Sequence, residues 1–228
     1  MLNYAIIIVY HNDDELTKYN ISTFQKYHNK NIVIPIKSDD FPQPAYWQYD
    51  WMWAYCDNIF YRWFLSKQKV IADRYFVFDY DTLCNDSVEN YYSKVWDRGF
   101  VCQQHFGYNP NQNPQWEWFL VYEEHFNSDL SNPLYREKRY GVVPFSGTMI
   151  RYNDLQNLID YQISDYRFWK NIISELRMGT ILNIHNVDIA QINTEKHQFI
   201  TPFAHNLPKN YRTQKGIFHP VKTLKDDA

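Results

Sequence analysis

The chain has 228 residues, the size of one ordinary domain with room for a single large core. Its 23 basic residues against 26 acidic ones give a formal net charge of −3, and the charges are interspersed, which argues against a nucleic-acid partner. With 20 Tyr, 15 Phe, 8 Trp and only 6 Gly, the composition excludes a disordered or fibrous chain.

The three cysteines (Cys56, Cys84, Cys102) are too few and too scattered for a disulfide framework or a zinc cage, and fit a reducing compartment. The opening apolar run from Tyr4 to Tyr10 lacks the basic start and the length of a signal peptide. A membrane span needs about 20 apolar residues. The expectation is a soluble cytoplasmic protein with no transmembrane segment, leaving open peripheral contact with a membrane surface. Its oligomeric state is not legible.

In chain order, Tyr4 to Tyr10 is a continuous β-branched run, the mark of a strand buried on both faces. A helix is predicted over Glu15 to Tyr27 and a second strand over Asn31 to Ile36, which together suggest a right-handed βαβ unit and a parallel sheet. Tyr46 to Lys67 has no Gly or Pro and is aromatic on every side, so it reads as a buried helix. Tyr75 to Phe78 is the third core strand. A helix over Ser87 to Trp96 and a strand over Phe100 to Gln104 follow.

From His105 to Tyr140 the composition shifts to Asn, Gln, Pro and aromatics, as in a long irregular excursion, and such excursions are usually functional. A strand over Gly141 to Ile150 and helices over Asn153 to Gln162 and Phe168 to Leu182 come next. The tail from Thr201 is punctuated by Pro and Lys. There is no internal repeat and no linker. One domain spanning 1–228 is expected, with 1–104 as one half and 105–228 as the other.

Asp79-Tyr80-Asp81 ends an apolar strand, where ligands bind in open α/β sheets. Carboxylates at i and i+2 can share Mg²⁺ or Mn²⁺, which take oxygen ligands and leave room for phosphate. The plain alternative is a pair of turn acids. Gly216-Ile-Phe-His219-Pro-Val-Lys222 adds an imidazole that can complete such a coordination shell and an ammonium that can neutralise a phosphate oxygen. The plain alternative there is a surface His in a loose tail.

A hydrophobic strand entering Asp-x-Asp, with His-x-x-Lys near the end, resembles the GT-A-fold nucleotide-sugar glycosyltransferases. The resemblance implies a single GT-A-like α/β domain with a central, mostly parallel mixed sheet flanked by helices. Residues 1–104 would be the nucleotide-sugar half; 105–228 would hold the acceptor and a C-terminal metal-binding tail. It implies a divalent metal (Mn²⁺ or Mg²⁺) on Asp79, Asp81 and His219, and a phosphate contact at Lys222. A nucleotide-sugar donor, UDP by default, and a glycan acceptor are implied as substrates.

By the same resemblance Tyr10, His11, Asp39 and Tyr80 would meet the donor, and Asp57, in the stretch Trp51 to Phe64, would line the nucleoside pocket. Ser146 and Gly147, in Phe145 to Ile150, would meet the acceptor and donor sugar. In Ser174 to Gly179, Glu175 occupies the place of the base of inverting members, although Ser174 stands where the family more often has a first acid. Asp165 is the competing base. Retention at the anomeric carbon stays open.

Each assignment has a structural counterpart. Asp57 can satisfy a backbone group or a tyrosine hydroxyl within its aromatic helix. Glu175 can be a solvated helical acid. Trp116 and Trp118 can stack on a sugar or form a local packing cluster. Two other function classes stand beside the transferase. Phe78 to Leu83 also resembles the haloacid-dehalogenase-like phosphohydrolase signature, with Asp79 as nucleophile and Asp81 as general acid. Thr82 and Leu83 depart from that signature, which usually sits on a first strand. A non-catalytic carbohydrate-binding domain is the third.

Overall fold

The computed structural model describes residues 2–41, 57–111, 116–144, 146–192, 210–221 and 224. Ten strands are formed among them: β1 (Ala5–Tyr10), β2 (Val33–Lys37), β3 (Arg74–Asp79), β4 (Leu83–Cys84), β5 (Phe100–Cys102), β6 (Gln104–Gly107), β7 (Tyr140–Val143), β8 (Ser146–Arg151), β9 (Ile189–Gln191) and β10 (Ile217–Phe218). The longer helices are α1 (Glu15–Tyr27), α2 (Asp57–Leu65), α7 (Tyr152–Ser164) and α9 (Ser174–Ile184). Short ones are α3 (Val88–Tyr91), α4 (Glu117–Val121), α5 (Glu123–Phe126), α6 (Pro133–Glu137) and α8 (Tyr166–Trp169).

Six strands form the central sheet in the order β2-β1-β3-β8-β5-β9. β1 is parallel to both β2 and β3, and β5 to β9, while β8 runs antiparallel to β3 and β5. Five of the six strands therefore share one direction. This is the expected mostly parallel mixed sheet. Alternate residues feed two cores, as the two-residue period of a strand requires. Ala5, Ile7, Val9, Tyr75 and Val77 pack with α2, α7 and α9 on one face. Ile6, Ile8, Phe76 and Phe78 pack with Phe24 of α1 and with Val88, Tyr91 and Tyr92 on the other.

The structure departs from the sequence reading in several places. The strand expected over Gly141 to Ile150 is two strands: β7 pairs with β6 in a separate ribbon, and β8 enters the central sheet. Pro144, which lacks an N–H, lies between them. The helix expected over Phe168 to Leu182 breaks between α8 and α9, where Ile173 adopts extended backbone. The helix expected over Ser87 to Trp96 is one α-helical turn, α3, followed by further turns. The 105–140 excursion carries β6 and three short helices. Of the helix expected over Tyr46 to Lys67, Asp57 to Leu65 is helical and 46–56 lie outside the described residues. None of the described helices is long and apolar enough to cross a membrane.

Candidate active site at the ends of β1 and β3

From β1 the chain leads to β2 on one side, and β3 lies on the other. The order of strands therefore reverses between β1 and β3, and such a reversal opens a crevice beyond the carboxyl ends of the two strands. His11 follows β1 and Tyr80 follows β3. Their rings meet edge to face, with centroids 4.6 Å apart. Tyr10 is paired in register with Lys37 at the end of β2, and Lys37 reaches Asp13 at 3.4 Å. Burial raises the Tyr10 phenol above its usual range, and the charges of Asp13 and Asp40 raise it further. Asp39 is exposed in the turn after β2 and accepts a hydrogen bond from Ser38 Oγ at 3.4 Å.

The aspartate loop is anchored from three directions. Thr82 donates its N–H to the Asp79 carbonyl at 3.2 Å, closing a tight turn. Asn20, buried on α1, donates to the Tyr80 carbonyl at 3.1 Å. α1 is itself fixed by its N-cap, Asp14, which accepts from the Thr17 N–H at 2.7 Å. The third anchor is the tail. β10 pairs antiparallel with β4, matching Ile217 to Cys84 and Phe218 to Leu83, and Val221 donates to the Asp81 carbonyl at 2.7 Å. Leu83, Tyr211, Phe218 and Val221 form a small apolar cluster under this ribbon.

His219 sits between those two backbone attachments. Its Nε2 lies 3.0 Å from Asp81 Oδ1 and 3.6 Å from Asp79 Oδ2. One potential ligand atom from each of the three residues lies within 4.8 Å of the others. Asp81 and His219 are 2% and 7% exposed, whereas the Asp79 side chain is 30% exposed. Two carboxylates and an imidazole nitrogen suit Mn²⁺ or Mg²⁺, and the opening at Asp79 leaves room for a further oxygen ligand. The donor set fits the implied cation.

Gly147 shapes the neighbouring edge. Val77 pairs with Thr148 and Phe78 with Ser146, so Gly147 is bulged out of β8 beside the end of β3, at φ 114°. A side chain there would be strained, which makes glycine the natural residue. The buried Tyr92 hydroxyl donates to the Gly147 carbonyl at 2.8 Å and fixes the bulge.

Glu175 lies in the first turn of α9. Its Oε2 is buried and has no hydrogen-bond partner among the described residues. Burial pushes the carboxyl up to about 7, its own backbone N–H offsets part of this, and the charges of Asp57 and Glu117 add to the rise. A helix N-terminus favours the ionised acid by only about 0.3–1 kcal/mol. Desolvation outweighs it, and the carboxyl is poised to exchange a proton near neutrality.

Solved structures resemble the fold. Mouse xyloside xylosyltransferase 1 in its apo form matches over 96% of this chain and 98% of its own, with a TM-score of 0.50 and 8% identity. This chain has a GT-A-like fold. The galactosyltransferase LgtC, crystallised with donor and acceptor sugar analogues, matches over 97% of this chain and 88% of its own, with a TM-score of 0.49 and 12% identity. The bifunctional glycosyltransferase WbbM matches over 84% of this chain and 45% of its own, with a TM-score of 0.45 and 11% identity. No family model matches the sequence, and neither does any curated protein.

Within the GT-A-like fold some expected site residues have other surroundings. Asp57 is wholly buried, and both its oxygens accept from Arg177 Nη2, at 2.5 and 2.6 Å. It is the anionic half of an internal ion pair where the resemblance implies a nucleoside contact. Asp165 joins α7 to α8 and accepts from the Tyr135 hydroxyl at 2.8 Å. Trp116 stacks on Phe106 at 4.8 Å and meets Phe119 edge-on at 5.3 Å, a packing cluster. Trp118 lies against Tyr122, ring centroids 6.4 Å apart. Lys222 and the side chain of Ser146 lie outside the described residues.

Four contributors escaped the sequence reading: Asn20, Tyr92, Arg177 and the Val221 N–H. A buried Asn on the inner face of α1 has a weak signal in the amphipathic pattern. The others act across long sequence separations and leave none.

Proposed function

We propose that this protein is a metal-dependent glycosyltransferase that moves a sugar from a nucleoside-diphosphate donor, UDP-linked by preference, to a hydroxyl of a glycan acceptor. The observation that carries the reading is the meeting of Asp79, Asp81 and His219 at the β1/β3 crevice of a GT-A-like fold. Asp79, Asp81 and His219 would hold the cation, which supplies Lewis acidity toward a departing diphosphate. Tyr10, His11, Asp39 and Tyr80 line the donor side, and Lys222, three residues beyond His219, neutralises a phosphate oxygen. Gly147, with Ser146 before it, borders the sugar.

Glu175 is the base. As the acceptor oxygen attacks the anomeric carbon, its proton passes to the Glu175 carboxylate. The bond from that carbon to the diphosphate oxygen breaks, and its electron pair leaves with the diphosphate. Attack opposite the leaving group inverts the anomeric centre. A carboxyl that titrates near neutrality suits this step, since proton transfer is most effective when the base matches the working pH.

The test is turnover of UDP- and GDP-sugars with Mn²⁺ and a set of glycan acceptors, following nucleoside-diphosphate release and the glycan product. Metal-dependent product from one donor is expected, with none from Asp81→Ala. Glycan binding without turnover that survives Asp81→Ala would instead support the carbohydrate-binding alternative. Phosphate-ester hydrolysis without transfer would support the phosphohydrolase.

A further inference from the structure

Arg177 and Asp57 form an ion pair with both side chains wholly buried, between residues 120 positions apart. Burial makes this a poor device for stability alone. Desolvating two charges costs several kcal/mol per ion, and replacing such pairs with apolar residues is often neutral or stabilising. Its position gives it another use. Arg177 is two residues beyond Glu175, on the first turns of α9. Its Nη1 donates to the Ile172 carbonyl at 2.6 Å, in the segment joining α8 to α9, and to the Trp169 carbonyl at 3.4 Å, at the end of α8. Its Nη2 holds both oxygens of Asp57 on α2. One guanidinium thus ties the approach to α9 onto a separate helix.

The α8–α9 junction needs such a tie. Ile173 at the N-cap has no side-chain acceptor for the free N–H groups of the first turn, so capping does not fix this end. Desolvation acts first on the Glu175 carboxyl, and among the described residues the charges of Asp57 on α2 and Glu117 on α4 add to it. Asp57 is held rigidly, with 0% of its side chain exposed; Glu117 is on the surface.

We propose that Asp57 and Arg177 are positioning residues for Glu175: the buried pair ties the start of α9 to α2 and so fixes the first turn that carries the Glu175 carboxyl. This rests on the reading of Glu175 as the base. Asp57 then serves the reaction from inside the core, through the placement of a neighbour, without touching substrate.

The experiment is a carboxyl-carbon NMR titration of the full chain labelled with ¹³C at Glu Cδ, with Glu175→Gln assigning the resonance. The wild-type signal is expected to titrate near 7, and Asp57→Asn to lower its midpoint by at least about half a unit. The pH midpoint of kcat should move by the same amount, with KM for the donor unchanged. An unmoved midpoint in Asp57→Asn overturns the proposal. Since Asp57→Asn leaves a buried guanidinium and can fail to fold, Arg177→Lys provides the second arm. It keeps the charge and loses the fork, so exchange of the backbone amide at position 177, which donates to the Ile173 carbonyl at 2.9 Å, should quicken about tenfold or more. Unchanged exchange there also overturns the proposal. The titration and exchange arms need no turnover, so absence of transfer to any acceptor would count against the proposed function and leave this inference to be decided by its own results.

Discussion

Val221 donates its backbone N–H to the Asp81 carbonyl at 2.7 Å, which closes the C-terminal tail onto the aspartate loop and sets His219 Nε2 3.0 Å from the Asp81 carboxylate. The imidazole that looked like part of a loose tail is held by backbone bonds on both sides. β10 provides one attachment and Val221 the other.

Removing that imidazole should therefore weaken the cation site without unfolding the chain. His219→Ala is expected to bind Mn²⁺ about 10- to 100-fold more weakly, by isothermal titration of the metal alone. Equal affinity in both proteins would place the cation elsewhere.

Glu175→Gln should lower kcat by about 10²- to 10⁴-fold while sparing donor affinity. In the wild type kcat should rise with pH through about 7, since the base works only when ionised and burial holds its proton until then. Single-turnover rates and equilibrium donor binding across pH 5.5–8.5 check both statements. An active Gln variant would transfer the role to Asp165.

The same substitution should stabilise the fold in alkaline solution. Below the ordinary Glu value of 4.5 the group is protonated in both folded and unfolded chains and contributes no pH dependence. Between 4.5 and about 7 the folded chain keeps a proton that the unfolded chain releases, so wild-type stability falls as pH rises through that window. Glu175→Gln lacks this penalty. Its advantage over wild type should be larger at pH 8 than at pH 5 by on the order of 2 kcal/mol, read from urea midpoints.

Gly179 tests the packing behind Glu175. A Cβ there would lie 2.3 Å from the Tyr140 carbonyl oxygen and 2.8 Å from its carbon, so α9 rests directly on the backbone of β7. Backbone cannot step aside as a flexible side chain can. Gly179→Ala should cost about 1–3 kcal/mol of stability. A urea midpoint equal to that of the wild type would contradict this contact.

Much of residues 1–104 was legible because the signals there are local. β1 and β3 are continuous apolar runs, as double-sided burial requires, and α1 shows both its cap at Asp14 and a helical period. Residues 105–228 were less so. α4, α5 and α6 are four or five residues long, too short for an apolar period to emerge. The break at Ile173 lies between Asn171 and Ser174 with no Gly or Pro to mark it, and both Ile172 and Ile173 are buried. Of the candidate site, the Asp-x-Asp and late His were visible by type and spacing. The Asp57–Arg177 pair was not, because nothing near Asp57 in sequence announces a cation 120 residues away.

The most direct test is a thermal-shift comparison of UDP with and without Mn²⁺ on the wild type and on Asp81→Ala. If the three ligands hold a cation that in turn holds the diphosphate, UDP with Mn²⁺ at 100 times Kd should stabilise the wild type by about 2.7 kcal/mol. UDP without metal should do little, and Asp81→Ala should show neither effect. Equal stabilisation with and without Mn²⁺, or an undiminished shift in Asp81→Ala, would contradict the account.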